Sequence, residues 1–330
     1  MNDRLALLDQ WLRSDLGFKD FTLESASEDA SFRRYFRVRR GSESLIVMDA
    51  PPDREDCGPY IDVAGRLSAC GVHVPEIMEL DLNLGFLLLG DLGDVLYLDV
   101  LTDANADDLY GDAMDALLKM QVKAAVDGLP PYGEPLLMQE MELFRNWLLD
   151  RHLKLKPDPA REQLLDEVFL FLKNSALEQP RVFVHRDYHS RNLLVNDANN
   201  PGIVDFQDAV YGPITYDLVS LLKDCYIKWP RSEVGDWLGK FYRGAAKQLR
   251  LGVGEEQYTR WFDFMGVQRQ LKASGIFARL WHRDHKNGFL KDIPRTLSYV
   301  TDMESIYPEL SPLIDLINTE VLPVLKGNGE

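Results

Sequence analysis

The segment from Val184 to Phe206 constrains the fold of this chain more than any other part of it. Two short apolar strands, Leu193 to Val195 and Gly202 to Val204, flank the turn-rich sequence Asn-Asp-Ala-Asn-Asn-Pro, which predicts a β-hairpin. The open end of a hairpin brings together the residue before its first strand and the residue after its second, at the spacing of a cross-strand pair, about 5 Å. In this chain those residues are Asn192 and Asp205.

Asn192 and Asp205 are candidate ligands of a magnesium ion, and Asp187 is a candidate catalytic base. An amide oxygen and a carboxylate suit a hard cation, which takes oxygen ligands and keeps room for phosphate. Asp187 lies five residues before Asn192, on the loop that enters the hairpin. A carboxylate beside a metal site on such a loop is placed to accept the proton of a substrate hydroxyl in phosphoryl transfer.

The order of a loop aspartate, an asparagine and a second aspartate is that of kinases. The alternative is a solvated, Asp-rich loop beside an ordinary hairpin. A His-x-Asp-x-x-x-x-Asn match alone arises often by chance, but the match followed by two apolar strands and an apolar-Asp-Phe ending is much rarer. The pattern therefore favours the kinase interpretation.

Composition limits the classes of partner. The chain has 330 residues, of which 45% are hydrophobic and 27% charged, so it can form one large domain or two lobes with an ample core. Its net charge of −16 argues against nucleic acid and anionic membranes as partners, because both attract basic patches. The same charge is unfavourable for binding ATP, so local cations and Mg²⁺ must offset it.

Cysteine usage and hydropathy predict a cytoplasmic protein. Cys57, Cys70 and Cys225 show no Cys-x-x-Cys spacing, which is typical of reduced thiols. The first residues contain no signal-peptide core. The longest aliphatic run near a strand, Phe86 to Leu89, is much too short to span a bilayer.

Hydrophobic periodicity predicts an α+β fold with two lobes. The first ninety or so residues indicate an N-terminal helix, a helix from Tyr60 to Ala69, and strands at 35–38, 45–48, 76–78 and 86–89. Beyond them the pattern is mostly helical, with helices predicted at 107–126, 136–155, 161–177, 216–226, 233–249, 256–283 and 310–325. We therefore assign residues 1–92 to a small β-rich lobe that binds nucleotide, and residues 93–330 to a larger helical lobe with the catalytic loop and metal site, separated by a ligand-binding cleft.

The chain resembles the aminoglycoside phosphotransferase and choline kinase-like family, which are small-molecule kinases with a protein-kinase-like fold. The resemblance covers nearly the whole chain and rests on the strings Met48–Pro52, Gly90–Asp94, His185–Asn192, Asp205–Pro213 and Gly275–Leu280. These strings are similar to those of one branch, the anomeric N-acetylmuramate/N-acetylglucosamine kinases of peptidoglycan recycling. The resemblance implies ATP as co-substrate, Mg²⁺ as cofactor and a small amino sugar as partner.

The resemblance also implies roles for residues around the catalytic loop. By position, Asp187 would be the base, and Asn192 and Asp205 would be the metal ligands. His185 would brace the loop rather than react, and Asp217 would hold the loop in place. Asp217 has a second interpretation, as an ordinary acid at a helix N-terminus, and both can hold.

Four residues are candidate substrate contacts. His189 and Arg191 lie between the base and the metal-binding asparagine, and His189 is expected to face the cleft. Arg279 and Arg283 belong to a basic stretch of an otherwise acidic protein and share a helix face. They would attract the lactyl carboxylate of a muramic acid and repel a polycationic aminoglycoside. The alternative is a solvated helix face paired with acids such as Asp284.

The nucleotide-binding region departs from the family pattern. Kinases of this fold carry a strand lysine, paired with a helix glutamate, that holds the α- and β-phosphates. Here Met48 stands at the lysine position, Tyr60 stands near the glutamate position, and residues 27–35 replace the glycine-rich loop. Arg33 or Arg34 could supply the missing cation, since a guanidinium binds phosphate in a bidentate manner.

Adjacent strand residues point to opposite faces, so only one of these two arginines can face the nucleotide. We expect Arg34 to face it and Arg33 to be exposed to solvent. The alternative is that both belong to a charged hairpin surface. Together with Ser31, Gly90 and Leu92, the two arginines form the predicted nucleotide-binding set.

Together, the loop pattern and the resemblance imply an ATP- and Mg²⁺-dependent kinase for the anomeric hydroxyl of N-acetylmuramate and N-acetylglucosamine. Two alternatives remain open: a kinase for another small alcohol, such as choline or an aminoglycoside, and a nucleotide-binding pseudokinase. The missing strand lysine favours a pseudokinase, whereas the intact set of Asp187, Asn192 and Asp205 argues against it. The preferred sugar and the oligomeric state are left open.

Overall fold

A computed structural model describes residues 2–28 and 32–327, which form two compact units. The first unit comprises the chain up to Val95 together with Leu193–Asp208, and the second comprises Leu96–Asn192 and the chain from Ala209 onward. The first unit is rich in strands and the second is mostly helical. The predicted α+β fold class is therefore confirmed.

A five-stranded antiparallel sheet in the order β1-β2-β3-β5-β4 forms the first unit. The strands are β1 Thr22–Glu28, β2 Arg34–Arg40, β3 Glu43–Asp49, β4 Ile77–Asp81 and β5 Phe86–Gly90. β2 and β3, which contain the strands predicted at 35–38 and 45–48, form an antiparallel hairpin. Gly41 lies at its turn with a φ of +60°, a conformation that favours glycine.

Helix α1, Asn2–Gln10, continues as the π-helical turn Trp11–Asp15 and covers one face of the sheet. Its side chains pack in one cluster with Leu45 and Val47 of β3. Side chains alternate along a strand, so Met48 faces the opposite side, away from α1. The other helix of this unit is α2, Gly58–Ala69, close to the prediction.

The short strands β7, Leu193–Leu194, and β8, Gly202–Ile203, pair in an antiparallel manner and confirm the predicted hairpin. The hairpin packs with the first unit. The backbone N–H of Val195 donates to the carbonyl of Val95 at 2.8 Å, and that of Ile203 donates to the carbonyl of His73 at 2.7 Å. The compact units therefore differ from the predicted boundary after residue 92, which placed the hairpin with the helical part.

The second unit contains a two-stranded sheet and most of the helices. Strand β6, Arg181–Val184, pairs with β9, Val210–Pro213. The helices are α3 Tyr97–Val100, α4 Ala106–Lys123, α5 Glu134–Leu143, α6 Pro159–Leu177, α7 Tyr216–Leu222, α8 Arg231–Gln248, α9 Glu255–Asp284, α10 Ile293–Thr301, α11 Ser311–Leu316 and α12 Leu322–Gly327. The π-helical segments Phe144–His152 and Ile317–Val321 continue α5 and α11, and the 3₁₀ turns Asn287–Asp292 and Pro308–Leu310 precede α10 and α11. Among the helices of the described residues, none is both long and apolar enough to cross a membrane.

Helix α9 is the centre of the second unit, and most of its residues between Tyr258 and Ala278 are buried. It packs against α5, α6, α7 and α10. The closest approach is at Gly275, where a Cβ atom would lie 2.3 Å from the backbone carbon of Leu143. Only glycine lets the two backbones come this close.

We expect Gly275→Ala to lower the free energy of unfolding by about 1–3 kcal/mol or more. This is the usual cost of forcing atoms into a packed core. Gly235→Ala in α8 is the matched control, because no atom lies within 4 Å of a Cβ there. That helical substitution should be neutral or stabilising by up to about 1 kcal/mol. Denaturant unfolding of both variants provides the measurement, and equal effects would contradict the close-approach argument.

Candidate active site

The catalytic loop, residues 185–192, connects β6 with β7 and is held from behind by Asp217 of α7. The two carboxylate oxygens of Asp217 accept the backbone N–H groups of His185 at 2.6 Å and Arg186 at 2.9 Å. The predicted anchoring role of Asp217 is confirmed. Burial raises the pKa of Asp217 to about 7, although the two amide hydrogen bonds oppose this shift.

Hydrogen bonds within the loop fix the backbone of Asp187. The Nδ2 of Asn192 donates to the carbonyl oxygen of Asp187 at 2.9 Å. The N–H of Asp187 donates to Nδ1 of His185 at 3.3 Å, consistent with the bracing role that the resemblance implied for this histidine. Arg186 has a φ of +79°, a left-handed conformation of the kind that concentrates at functional sites.

A second carboxylate, Asp224, holds the other side of the loop. This buried side chain accepts the backbone N–H of Ser190 at 3.0 Å through Oδ2 and that of Tyr226 at 2.9 Å through Oδ1. The hydroxyl of Ser190 donates to the same Oδ2. The loop and the segment that follows α7 are therefore connected through one acid.

Beside the loop lies a buried charge cluster formed by Glu140, Lys272, Arg186, Tyr132 and Tyr216. Glu140 pairs with Nζ of Lys272 at 3.0 Å and with the guanidinium of Arg186 at 2.7 Å, and it accepts the hydroxyl proton of Tyr132. Lys272 also contacts the hydroxyl of Tyr216 at 2.8 Å. Burial alone would raise the pKa of Glu140, but the charges of Lys272 and Arg186 lower it, so this acid stays ionised.

The charge cluster acts on Asp187. Desolvation by itself would raise the pKa of Asp187, but the charges of Lys272, Arg269 and Arg186 outweigh this effect and lower it. The site therefore keeps an ionised carboxylate, which is the form a base requires. Neither Lys272 nor Glu140 was identified as a site residue from the sequence. The sequence feature that could have identified both residues is a charged side chain on a helix whose neighbouring positions are apolar.

The two substrate candidates on the loop, His189 and Arg191, lie in the second unit near Tyr226. The ring centroids of His189 and Tyr226 are 5.6 Å apart. Burial lowers the pKa of His189, so its ring is neutral at neutral pH, and its Nδ1 is buried without a hydrogen-bond partner in the described chain. The guanidinium of Arg191 stacks over the ring of Tyr226 at 4.8 Å.

Asp205 lies two residues after β8 and belongs to the first unit, whereas Asp187 and Asn192 belong to the second. Asp205 has a φ of +63° and accepts the Nε2 of Gln207 at 2.8 Å. Its neighbour Phe206 packs on the ring of Tyr60 at 4.9 Å.

The residues predicted to bind metal have the donor chemistry that Mg²⁺ prefers. Asn192 uses its amide nitrogen within the loop, so a cation would meet its amide oxygen, and Asp205 supplies a carboxylate. No group of three or more His, Cys, Asp or Glu side chains suited to a metal occurs in residues 2–28 and 32–327. A magnesium ion carried by a nucleotide needs only one or two protein carboxylates. The metal pair stays a prediction.

The prediction for the two adjacent arginines is wrong in its orientation. Arg34 bonds to the buried Asp49, as does Arg4 of α1, so its guanidinium lies on the α1 face of the sheet. Arg33 was expected to be exposed, but only 9% of its surface is accessible. It pairs with Glu55 at 3.2 Å, and Glu55 also accepts the backbone N–H of Phe32 at 3.0 Å.

The phase of the strand explains this correction. Arg34 pairs in register with Asp49, and Tyr35 pairs with Met48, so Arg34 shares the α1 face with Asp49. Arg33 lies close enough to Tyr60 to lower its pKa, although desolvation dominates and raises it. Arg33 is therefore the arginine near the positions of the missing strand lysine and its helix partner.

The other three nucleotide candidates remain predictions. Ser31 lies outside the described residues. Gly90 ends β5, and its backbone N–H donates to the carbonyl of Glu76 at 2.9 Å. Leu92 follows in a turn in which Asp91 binds Nε of Arg37 at 2.7 Å.

The two arginines of α9 differ in their surroundings. The side chain of Arg283 is 57% exposed and pairs with Asp284 at 2.8 Å, which matches the alternative of a solvated helix face. Arg279 is half-buried, and its Nε has no hydrogen-bond partner among the described residues. Substrate binding by either arginine stays a prediction.

Comparison with known proteins assigns the family. A family model described as "Phosphotransferase enzyme family" matches residues 22–256. The chain is 48% identical to the N-acetylmuramate/N-acetylglucosamine kinase of Pseudomonas aeruginosa, over 88% of this chain and 86% of the relative. It is 45% identical to the kinase of the same name from Pseudomonas putida, over 95% of this chain and 96% of the relative.

Solved structures share the fold at low identity. Choline kinase LicA from Streptococcus pneumoniae matches with a TM-score of 0.63 and 12% identity, covering 89% of this chain and 98% of that one. ADP-bound aminoglycoside phosphotransferase APH(2'')-Ib matches with a TM-score of 0.60 and 13% identity, covering 89% and 97%. The protein-kinase-like fold predicted from the sequence is therefore confirmed, and the chain belongs to the phosphotransferase enzyme family.

Proposed function

We propose that this phosphotransferase transfers the γ-phosphoryl group of ATP to the anomeric hydroxyl of N-acetylmuramate and N-acetylglucosamine, in the recycling of cell-wall sugars in the cytoplasm. The observation that carries the proposal is the near full-length similarity, at 48% and 45% identity, to the two Pseudomonas kinases with these acceptors in their names. The anchored loop with an ionised Asp187 supports it independently.

Asp187 acts as the base in this reaction. Its carboxylate accepts the proton of the acceptor hydroxyl, the acceptor oxygen forms a bond to the γ-phosphorus of ATP, and ADP leaves with the electrons of the broken phosphorus–oxygen bond. An anomeric hydroxyl is more acidic than other sugar hydroxyls, so a base with a lowered pKa is sufficient. The main contribution of the protein is to position the reactants and to stabilise charge.

The metal and the phosphates each need protein partners. A Mg²⁺ ion bound with ATP would neutralise developing charge on the phosphates. Asn192 and Asp205 would hold it through their oxygens. Arg33 would supply the cation that the strand lacks at Met48, since it is buried next to Glu55 and lies near Tyr60 of α2. A pair of Arg33 and Glu55 resembles the lysine–glutamate pair of other kinases in charge, though not in chain position.

An assay of ADP release tests the proposed function against the alternatives. The acceptors should include both amino sugars, choline and an aminoglycoside. Release of ADP with N-acetylmuramate and N-acetylglucosamine, but with neither choline nor the aminoglycoside, would support the proposal. Release with choline or the aminoglycoside would favour a kinase of another small alcohol. If the protein binds nucleotide but releases ADP with none of these acceptors, a pseudokinase is favoured, as the missing strand lysine suggests.

We expect Asp187→Asn to lower kcat by about a hundredfold or more, the scale of general acid–base catalysis, because the amide cannot accept the proton. Nucleotide binding, measured as the rise in Tm on adding ATP and Mg²⁺, should persist, since the side chain is not a predicted phosphate contact. Near-normal turnover in this variant would contradict the assignment of the base.

We expect Lys272→Met to shift the acid limb of the kcat/KM profile to higher pH. Only ionised Asp187 acts as a base, so activity falls as the pH drops through its pKa. In the folded enzyme Lys272 is the largest charge that lowers this pKa; without it less of the desolvation is offset and the pKa rises. Lys272→Arg keeps the charge and should keep the limb at its wild-type position. An unmoved limb in Lys272→Met would show that this lysine does not set the protonation of the base.

We expect Arg33→Ala to raise the KM for ATP and to lower kcat/KM by roughly ten- to a hundredfold, the effect of losing a charge-assisted contact of about 1.5–3 kcal/mol. Arg34→Ala is the matched control on the opposite face of the sheet. It should lower the free energy of unfolding by about 1–2 kcal/mol, because the buried Asp49 keeps only Arg4, and leave the KM for ATP unchanged. If Arg34→Ala affects ATP kinetics more than Arg33→Ala does, the orientation inferred from the sequence would be the correct one.

A further inference from the structure

A cavity of about 590 Å³ adjoins the catalytic loop within the second unit. This volume lies in the range of small-molecule sites. The lining residues that matter for its chemistry are Arg191, Tyr226, Phe289, Lys291, Asp292 and Arg295. The cavity is connected to the loop because Arg191 lies four residues after Asp187 and the backbone N–H of the lining residue Leu98 donates to the carbonyl of Ser190 at 3.1 Å.

The lining carries excess positive charge in a protein with a net charge of −16. The lining contains three cations, Arg191, Lys291 and Arg295, and one acid, Asp292, so its net charge is +2. Arg295 is paired with Asp292 at 2.7 Å. Arg191 and Lys291 form no ion pair with any residue that the structure describes. A concave site with unneutralised cations attracts an anionic ligand.

Arg191 is held in a defined orientation. Its guanidinium lies 4.8 Å from the ring centroid of Tyr226 and 5.5 Å from that of Phe289. Phe289 itself stacks on Phe277 at 5.7 Å, with the two ring planes 17° apart. Stacking on aromatic rings orders the planar fork of the guanidinium, so less entropy is lost when it binds a carboxylate in a bidentate manner.

We propose that Arg191, assisted by Lys291, binds the carboxylate that N-acetylmuramate carries and N-acetylglucosamine lacks. Arg191 is thereby the residue that determines the preference between the two acceptors. This assignment rests on the proposed function and specifies its acceptor site. A cationic acceptor fits the cavity poorly, because the lining is positive and Arg191 already covers the rings that would stabilise a quaternary amine.

The test compares Arg191→Gln with the wild-type enzyme on three acceptors: N-acetylmuramate, its uncharged carboxamide, and N-acetylglucosamine. The ratio of kcat/KM for N-acetylmuramate to that for N-acetylglucosamine should fall roughly ten- to a hundredfold in Arg191→Gln, the usual cost of a lost charged contact. The wild-type enzyme should prefer the acid to its carboxamide, and the variant should lose this preference. Lys291→Gln should change the same ratio in the same direction by a smaller factor.

The matched control is Arg151→Gln. The guanidinium of Arg151 also stacks on an aromatic ring of the second unit, that of Trp147 at 5.0 Å, but it does not line the cavity. Its acceptor ratio should equal the wild-type ratio.

The outcomes separate this assignment from the proposed function. If the wild-type enzyme phosphorylates both sugars but the ratio does not move in Arg191→Gln, the carboxylate assignment is wrong and the proposed function stands. An equal loss with all three acceptors would also overturn the assignment, and would indicate a role of Arg191 in the loop or in nucleotide binding. If the wild-type enzyme phosphorylates neither sugar, the proposed function fails, and the assignment fails with it.

Discussion

The electrostatics of the catalytic loop depend on one buried carboxylate, Glu140. It lies on α5 and binds Lys272 of α9 and Arg186 of the loop, so it joins three parts of the second unit that are remote in sequence. Removing two or three charges from water costs several kcal/mol, and such pairs seldom add net stability. Their value here is positional, because Glu140 holds two cations where they lower the pKa of Asp187.

Two carboxylates of the same region have their pKa values pushed in opposite directions. Burial raises the pKa of Asp217 to about 7, and both its oxygens are used by backbone N–H groups of the loop. Asp187 is desolvated too, yet its neighbouring cations lower its pKa. Opposite shifts in one site separate the roles of otherwise equivalent acids. Asp217 thus acts through hydrogen bonds that shape the loop, and Asp187 is kept ionised, as the proposed base must be.

Local sequence patterns predicted most elements of this fold, and they failed where the structure depends on partners that are distant in the chain. The β7–β8 hairpin and helix α9 follow from alternation, turn residues and helical periodicity. Strands β6 and β9 have only four residues each, which is too short for either to show a clear pattern of its own. Helix α10 and strand β1 were not predicted either; the register of β1 also shifts between Ser25 and Ser27.

The anchoring role of Asp217 could be predicted from the sequence, but the orientation of Arg33 and Arg34 could not. Asp217 was assigned from its position and makes the expected bonds. The orientation of Arg33 and Arg34 depends on where β2 begins, and a shift of one residue exchanges the two faces of a strand. The predicted exposure of Arg33 failed because Glu55, which belongs to a loop beyond the next strand, binds both its side chain and the adjacent backbone. No pattern within residues 27–35 contains that partner.

A carboxylate subsite on the catalytic loop has a consequence for how an acceptor is aligned. Arg191 and Asp187 belong to one short segment whose backbone is bonded to Asp217 at one end and to Asp224 at the other. A sugar held by Arg191 is therefore positioned relative to the base by one short anchored segment, while Tyr226 and Phe289 orient the guanidinium itself. A neutral sugar loses that anchor and must be aligned by hydrogen bonds to groups such as His189, whose buried Nδ1 has no partner in the described chain. The two acceptors should then differ in how well they are aligned with the base as well as in how tightly they bind. Alignment matters because misplacing reacting atoms by about 1 Å can cost a hundredfold in rate.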